Sequence, residues 1–115
     1  MTIKRYDIVM ADLGKQTGSI QNGYRPVIII QNDQGNLHSS TTIVMPLSTK
    51  IKNPNQPTHT LIKKSCTNGL AKDSMVLGEQ MRVISMDRIS HKIGTIDNDL
   101  DREAIRKVYF ASFGE

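Results

Sequence analysis

The pattern of apolar and polar positions divides the chain into short extended segments followed by one helical segment. Residues 6–13 (YDIVMADL) mix apolar and polar side chains with β-branched members and predict a strand. Residues 14–23 (GKQTGSIQNG) are rich in turn formers and close on Asn22-Gly23, a strong turn signal between strands. A second strand is expected at residues 24–31, where four consecutive aliphatics, Val27 to Ile30, read as buried. Residues 32–36 (NDQGN) return to turn chemistry. Residues 41–47 (TTIVMPL) predict a third strand, with Pro46 marking an edge or a strand end.

Residues 48–57 (STKIKNPNQP) hold two prolines and no periodicity, the composition of a mobile surface loop. A short strand is expected at 58–62, then a polar loop through Lys72, then a strand at residues 75–83 (MVLGEQMRV). Its alternation sets Met75, Leu77, Glu79, Met81 and Val83 on one face, with Gln80 and Arg82 on the other. Ser85 can cap a helical turn at 86–90. A terminal helix begins at 97–99, with acids in its first turns and Leu100, Ala104, Val108 and Ala111 recurring at helical spacing. Five short strands and a C-terminal helix predict a mainly β fold, a small, strongly bent antiparallel sheet or barrel with the helix packed on it.

Composition narrows the class. The 115 residues suffice for one domain, 1–115, with a real core and no second one. No apolar run approaches the roughly 18 residues of a membrane span, and the start of the chain lacks a signal-peptide core. The single Cys66 excludes an internal disulfide and fits a reducing cytoplasm. His38, His59, His91 and Cys66 show no metal-ligand spacing, so neither a metal nor a cofactor is expected. Net charge is +4, and its distribution is uneven: no acid lies between Asp33 and Asp73, whereas Lys50, Lys52, Lys63, Lys64 and Lys72 do. Such a stretch suits a polyanion partner, although lysines that merely solubilise loops produce the same pattern.

There is no phosphate-binding glycine loop, no nucleophile elbow and no glycosidase-like carboxylate pair, which leaves Arg25, Ser48, Thr49, His59, Glu79, Gln80 and Arg82. Arg25 precedes Pro26, whose fixed φ stiffens the strand entrance and makes the guanidinium a well-placed fork for phosphate oxygens. The alternative for Arg25 is a structural ion pair, for instance with Glu79. Ser48 and Thr49 end the third strand, where hydroxyls bind phosphate or satisfy turn backbone.

KRYDIVMADL, where K-R-G-D is usual ahead of the strand, is followed in order by GS (18–19), RPVIIIQND, GN (35–36), PTH (57–59), KDS (72–74) and EQMR (79–82). Together they resemble the MazF/PemK-type toxins, the endoribonucleases of toxin–antitoxin pairs. The resemblance implies an SH3-like small barrel of the MazF/PemK/CcdB type, a homodimer, and metal-independent cleavage of single-stranded RNA at a short sequence. It also implies a cognate MazE-like antitoxin whose acidic segment competes for the RNA surface. Catalysis falls to Arg25 and a hydroxyl at the end of the third strand, usually threonine. Ser48 aligns with that hydroxyl, and Thr49 stands beside it. RNA contacts are expected from Asn32 and Gln80, joined by Ser19, Gln21, Lys50, Pro57, Thr58 and His59. Ile20 stands where the family often has glutamate, and Thr17 where an apolar or aromatic residue is common, so a loop glutamate is not the general base here. Arg25, water and His59 remain as proton carriers. Two further readings stay open: a non-enzymatic toxin acting on DNA gyrase through the terminal helix, and an RNA binder without cleavage.

Overall fold

The computed structural model describes residues 2–18 and 20–113, the side chain of Phe113 excepted. Its strands are β1 (Asp7–Asp12), β2 (Tyr24–Ile29), β3 (Thr41–Ser48), β4 (His59–Ile62), β5 (Ser74–Leu77), β6 (Arg82–Ser85) and β7 (Ile89–Thr95). Two helices join them, α1 (Asp33–His38) and α2 (Asp99–Phe113). All strand pairs are antiparallel, in the order β4-β5-β3-β2-β1-β7, with β6 also on β3. The expected mainly β sheet with a C-terminal helix is present. Among the described strands, however, the outer members β4 and β7 do not pair, so the barrel is a loose, unclosed one.

The aliphatic run of β2 is continuous because both faces of the strand are covered. Ile28 and Ile30 enter one core with Ile8, Met45, Ile105 and Val108, and Val27 and Ile29 enter a second with Val9, Val44 and Ile84. Pro46 is neither at an edge nor at a strand end. It lies inside β3, between the segment paired with β6 (41–44) and that paired with β5 (47–48), where the missing N–H interrupts neither ladder.

Several expectations are corrected. The strand expected over 75–83 is broken at Gly78, which opens a 3₁₀ turn (Gly78–Gln80) before β6. A Cβ on Gly78 would lie 2.2 Å from Val108 Cγ1, so only glycine lets α2 approach this closely. The break puts Glu79 on an exposed turn rather than an apolar strand face, and leaves Val83 62% exposed. Residues 32–36, expected as turn, belong to α1 and its cap: Asn32 Oδ1 accepts from the Gly35 N–H at 2.8 Å. Residues 86–88 form the expected short turn, but 89–95 is a strand missing from the pattern reading, seven strands in place of five. Ser90, His91 and Lys92 are exposed on this strand, which among the described residues pairs only with β1.

Helix α2 is preceded by Asn98, whose side-chain oxygen accepts from the Asp101 N–H at 2.8 Å. Its buried face is centred on Ile105 and Val108; Leu100, expected in the apolar stripe, is 82% exposed. Ile105→Ala is expected to lower the unfolding free energy by about 2–5 kcal/mol, because the cavity left in a two-layer core cannot collapse. Leu100→Ala should change it by less than about 0.5 kcal/mol. Urea unfolding of the two variants checks the helix orientation.

Candidate functional site

The β2–β3 ladder sets Val27 opposite Pro46, Ile28 opposite Met45 and Ile29 opposite Val44. Continued by two residues, this register brings Arg25 opposite Ser48. Both line a groove of about 480 Å³ that also includes Gln21, Lys50, Lys52, His59, Glu79 and Gln80. Arg25 is anchored through one nitrogen: Nε donates to the Asn22 carbonyl at 2.7 Å. Among the described residues no hydrogen bond or ion pair engages its two terminal nitrogens, and the expected alternative, pairing with Glu79, is not made. Ser48 is buried at the end of β3, where its Oγ accepts from the Lys50 N–H at 3.2 Å. That hydroxyl keeps its own proton to donate. Thr49, one residue on, is exposed and does not line the groove.

Glu79 pairs with His59, Nε2 to Oε2 at 2.8 Å, and the imidazole side chain is only 6% exposed. His59 Nδ1 lies 3.2 Å from the carbonyl oxygens of both Lys52 and Asn53. Every partner of the ring is an oxygen that can accept, an arrangement that favours the protonated imidazolium over the neutral ring. Burial pulls its pKa down, but the hydrogen bond and charge of Glu79, with the carbonyls of Asn53 and Lys52, outweigh burial and raise it above 6.5. Glu79 is the one carboxylate among the described residues lining the groove, which it shares with Arg25, Lys50, Lys52 and His59.

Gln80 and Arg82 serve the loop over the groove. Gln80 Oε1 accepts from the Gln21 N–H at 2.7 Å, and Arg82 donates at 3.4 Å to the carbonyls of Gln21 and Leu13. Gln21 presents a buried side-chain oxygen with no donor among the described residues. Of the other expected RNA contacts, Lys50 and His59 are in the groove, while Asn32 caps α1 at the opposite end of β2. Pro57 and Thr58 do not line it; the Thr58 carbonyl instead accepts from the Gly78 N–H at 2.8 Å. Ser19 lies outside the described residues. Lys52, Asn53 and Gln56 join the lining without having been singled out, although Lys52 belongs to the acid-free interval of the sequence.

Residues 4–109 match the family model of the PemK-like, MazF-like toxins of type II toxin–antitoxin systems. Endoribonuclease EndoA of Bacillus subtilis is 41% identical over 100 residues, covering 87% of this chain and 85% of the relative. Endoribonuclease MazF of Staphylococcus saprophyticus is 44% identical over 91 residues, covering 79% and 75%. Among solved structures, a mycobacterial endoribonuclease in complex with its cognate antitoxin superposes with a TM-score of 0.79 at 19% identity, covering 97% of this chain and 95% of that one.

Imidazole titration followed by NMR should place His59 above 6.5, and Glu79→Gln should bring it down by leaving burial unopposed. Because the folded-state pKa is the higher one, the stabilisation from His59 is complete below about 6.5 and is lost as pH rises through the folded value. A His59 titration unmoved by Glu79→Gln would contradict the pairing.

Proposed function

Because the chain belongs to the PemK-like, MazF-like toxins of type II toxin–antitoxin systems, we propose that it is an endoribonuclease whose groove cleaves single-stranded RNA. The observation that carries this reading is that Arg25 and Ser48 line one groove together with Lys50 and Lys52. Arg25, with two unengaged guanidinium nitrogens, and the Ser48 hydroxyl line the same groove, and both are donors of the kind a phosphate with developing negative charge needs.

The reaction is a transesterification within the substrate. The ribose 2′-oxygen attacks the adjacent phosphorus, the P–O5′ bond breaks, and the products carry a 2′,3′-cyclic phosphate and a 5′-hydroxyl. Arg25 stabilises the extra charge on the phosphorane-like transition state, and Ser48 Oγ donates to the same oxygens. Thr49 is set aside because its side chain is exposed beyond the strand end. Lys50 and Lys52 hold flanking phosphates, so binding weakens as salt rises. Base edges are read by Gln21, whose buried oxygen lacks a donor, and by neighbouring backbone along the loop pinned by Gln80 and Arg82.

A cognate antitoxin with an acidic segment fits the same cationic groove, and a homodimer working in the cytoplasm completes the proposal. The gyrase reading is weaker, since α2 commits Ile105 and Val108 to its own sheet.

Incubated in EDTA with a long single-stranded RNA, the protein should cut at one recurring short motif. Arg25→Ala should lower the rate by about 10²–10³-fold, with folding retained. Ser48→Ala should also slow cleavage, whereas Thr49→Ala should leave it within about twofold, as expected for an exposed side chain outside the site. A fully active Arg25→Ala protein would overturn the assignment.

A further inference from the structure

We propose that the cavity at the far end of β2 from Arg25 is a second anion site, in which Arg5 and Arg102, gathered on the Tyr6 ring, take a phosphate group. The cavity measures about 590 Å³, and its lining includes Lys4, Arg5, Tyr6, Asp7, Asp33 and Arg102. Among the described residues it shares no lining side chain with the groove of Arg25, so the site stands whether or not RNA is cut there.

The backbone around Tyr6 brings these side chains together. Its N–H donates to the Ile29 carbonyl at 2.8 Å, and its own carbonyl accepts from the Ile96 N–H at 2.9 Å. The segment before β1 is thereby clamped between the end of β2 and the residues leading from β7 into α2. The clamp holds Tyr6 at φ +74°, a left-handed conformation that glycine adopts freely and a bulky side chain rarely does. The ring kept there is buried, and two guanidinium groups lie over it, Arg102 at 4.7 Å and Arg5 at 5.4 Å from its centroid. Arg102 is aimed by its Nε, which donates to the Ile96 carbonyl at 2.6 Å.

Two arginines on one ring concentrate like charge, and the nearby carboxylates do not neutralise it. Asp7 is turned to other donors: Oδ2 accepts from the Lys4 N–H at 2.8 Å, and Oδ1 lies 3.3 Å from Lys92 Nζ. Asp33 Oδ1 accepts from the backbone N–H of Arg5, not from its guanidinium, at 2.8 Å. Among the described residues neither guanidinium forms an ion pair, and the terminal nitrogens of both have no acceptor. Arg5 Nε is buried with no hydrogen-bond partner at all. A buried donor in that state is costly, and an incoming acceptor relieves it. Forked guanidinium donors match the oxygens of a phosphate. Two sources carry that group: a free phosphate ion and the backbone of a nucleic acid.

The test follows the Nε–H signals of Arg5 and Arg102 by NMR during titration with inorganic phosphate. Both should shift and saturate, and sodium chloride at equal ionic strength should not reproduce the shifts. Arg5→Gln and Arg102→Gln, each shown to be folded by its unfolding transition, are read at the arginine that remains. Each should weaken phosphate binding by about tenfold or more, the loss expected for one charge-assisted partner. Lys107→Gln, which removes an exposed cation of α2 outside the cavity, should leave the affinity unchanged. Shifts that never saturate, that chloride reproduces, or that both arginine variants retain at full affinity overturn the site. Repeating the titration in the presence of a single-stranded DNA oligonucleotide separates the two sources. Phosphate shifts abolished by the oligonucleotide assign the site to a nucleic-acid backbone, and shifts retained beside it assign the site to free phosphate.

Discussion

The groove exists because β2 and β3 can pair in only one register. Side chains alternate along β2 between two cores, Ile28 and Ile30 on one side and Val27 and Ile29 on the other, and all four are buried. A slip of one residue would exchange the faces and set Ile28 against the pocket shaped for Val27 across the whole sheet. Since the strand is apolar on both sides, what resists the slip is shape rather than polarity: close-packed cores that distinguish isoleucine from valine at each layer. Pro26, next to Arg25, fixes the backbone just where the strand leaves the core. The guanidinium therefore inherits its position from packing several residues away, and the Asn22 carbonyl needs only to aim it.

A second constraint shapes the opposite wall. Gly78 admits α2 to within van der Waals reach of the turn, which ends β5 and turns Glu79 outward toward His59. The resulting ion pair joins the loop after β3 to the turn between β5 and β6, while Gln80 and Arg82 bind that same region to the β1–β2 loop. Three segments far apart in sequence thus meet at the groove through one run of residues, EQMR. Its members are supports before they are contacts.

Much of this was legible in the sequence, for identifiable reasons. The first three strands announce themselves because strands buried on both faces read as aliphatic runs, and α2 because helical spacing survives in Val108 and its neighbours. Strand β7 was not legible: as an outer strand with Ser90, His91 and Lys92 exposed, it carries no apolar alternation. The break at 78 was hidden because its cause, Val108, stands thirty residues further along the chain. At the site, Arg25 and Ser48 could be named from R-P-V and the strand end, and the fold adds that Ser48 lines the groove while Thr49 does not, which adjacent letters cannot tell. The His59–Glu79 pair spans twenty positions, and nothing local in either residue's neighbours advertises the other. Asn32, expected as a reader of bases, uses its side-chain oxygen to cap α1, a role that nothing in its neighbours announces.

In the proposed reaction the substrate's own 2′-hydroxyl is the nucleophile, and the groove supplies charge stabilisation rather than an activated water. The most direct measurement uses an RNA that carries one 2′-deoxynucleotide immediately 5′ of the bond that is cut. Binding should be nearly unchanged and cleavage at that bond abolished, with 2′,3′-cyclic phosphate ends at every unmodified site. Cleavage at the deoxy position, or products ending in 5′-phosphate, would contradict the account.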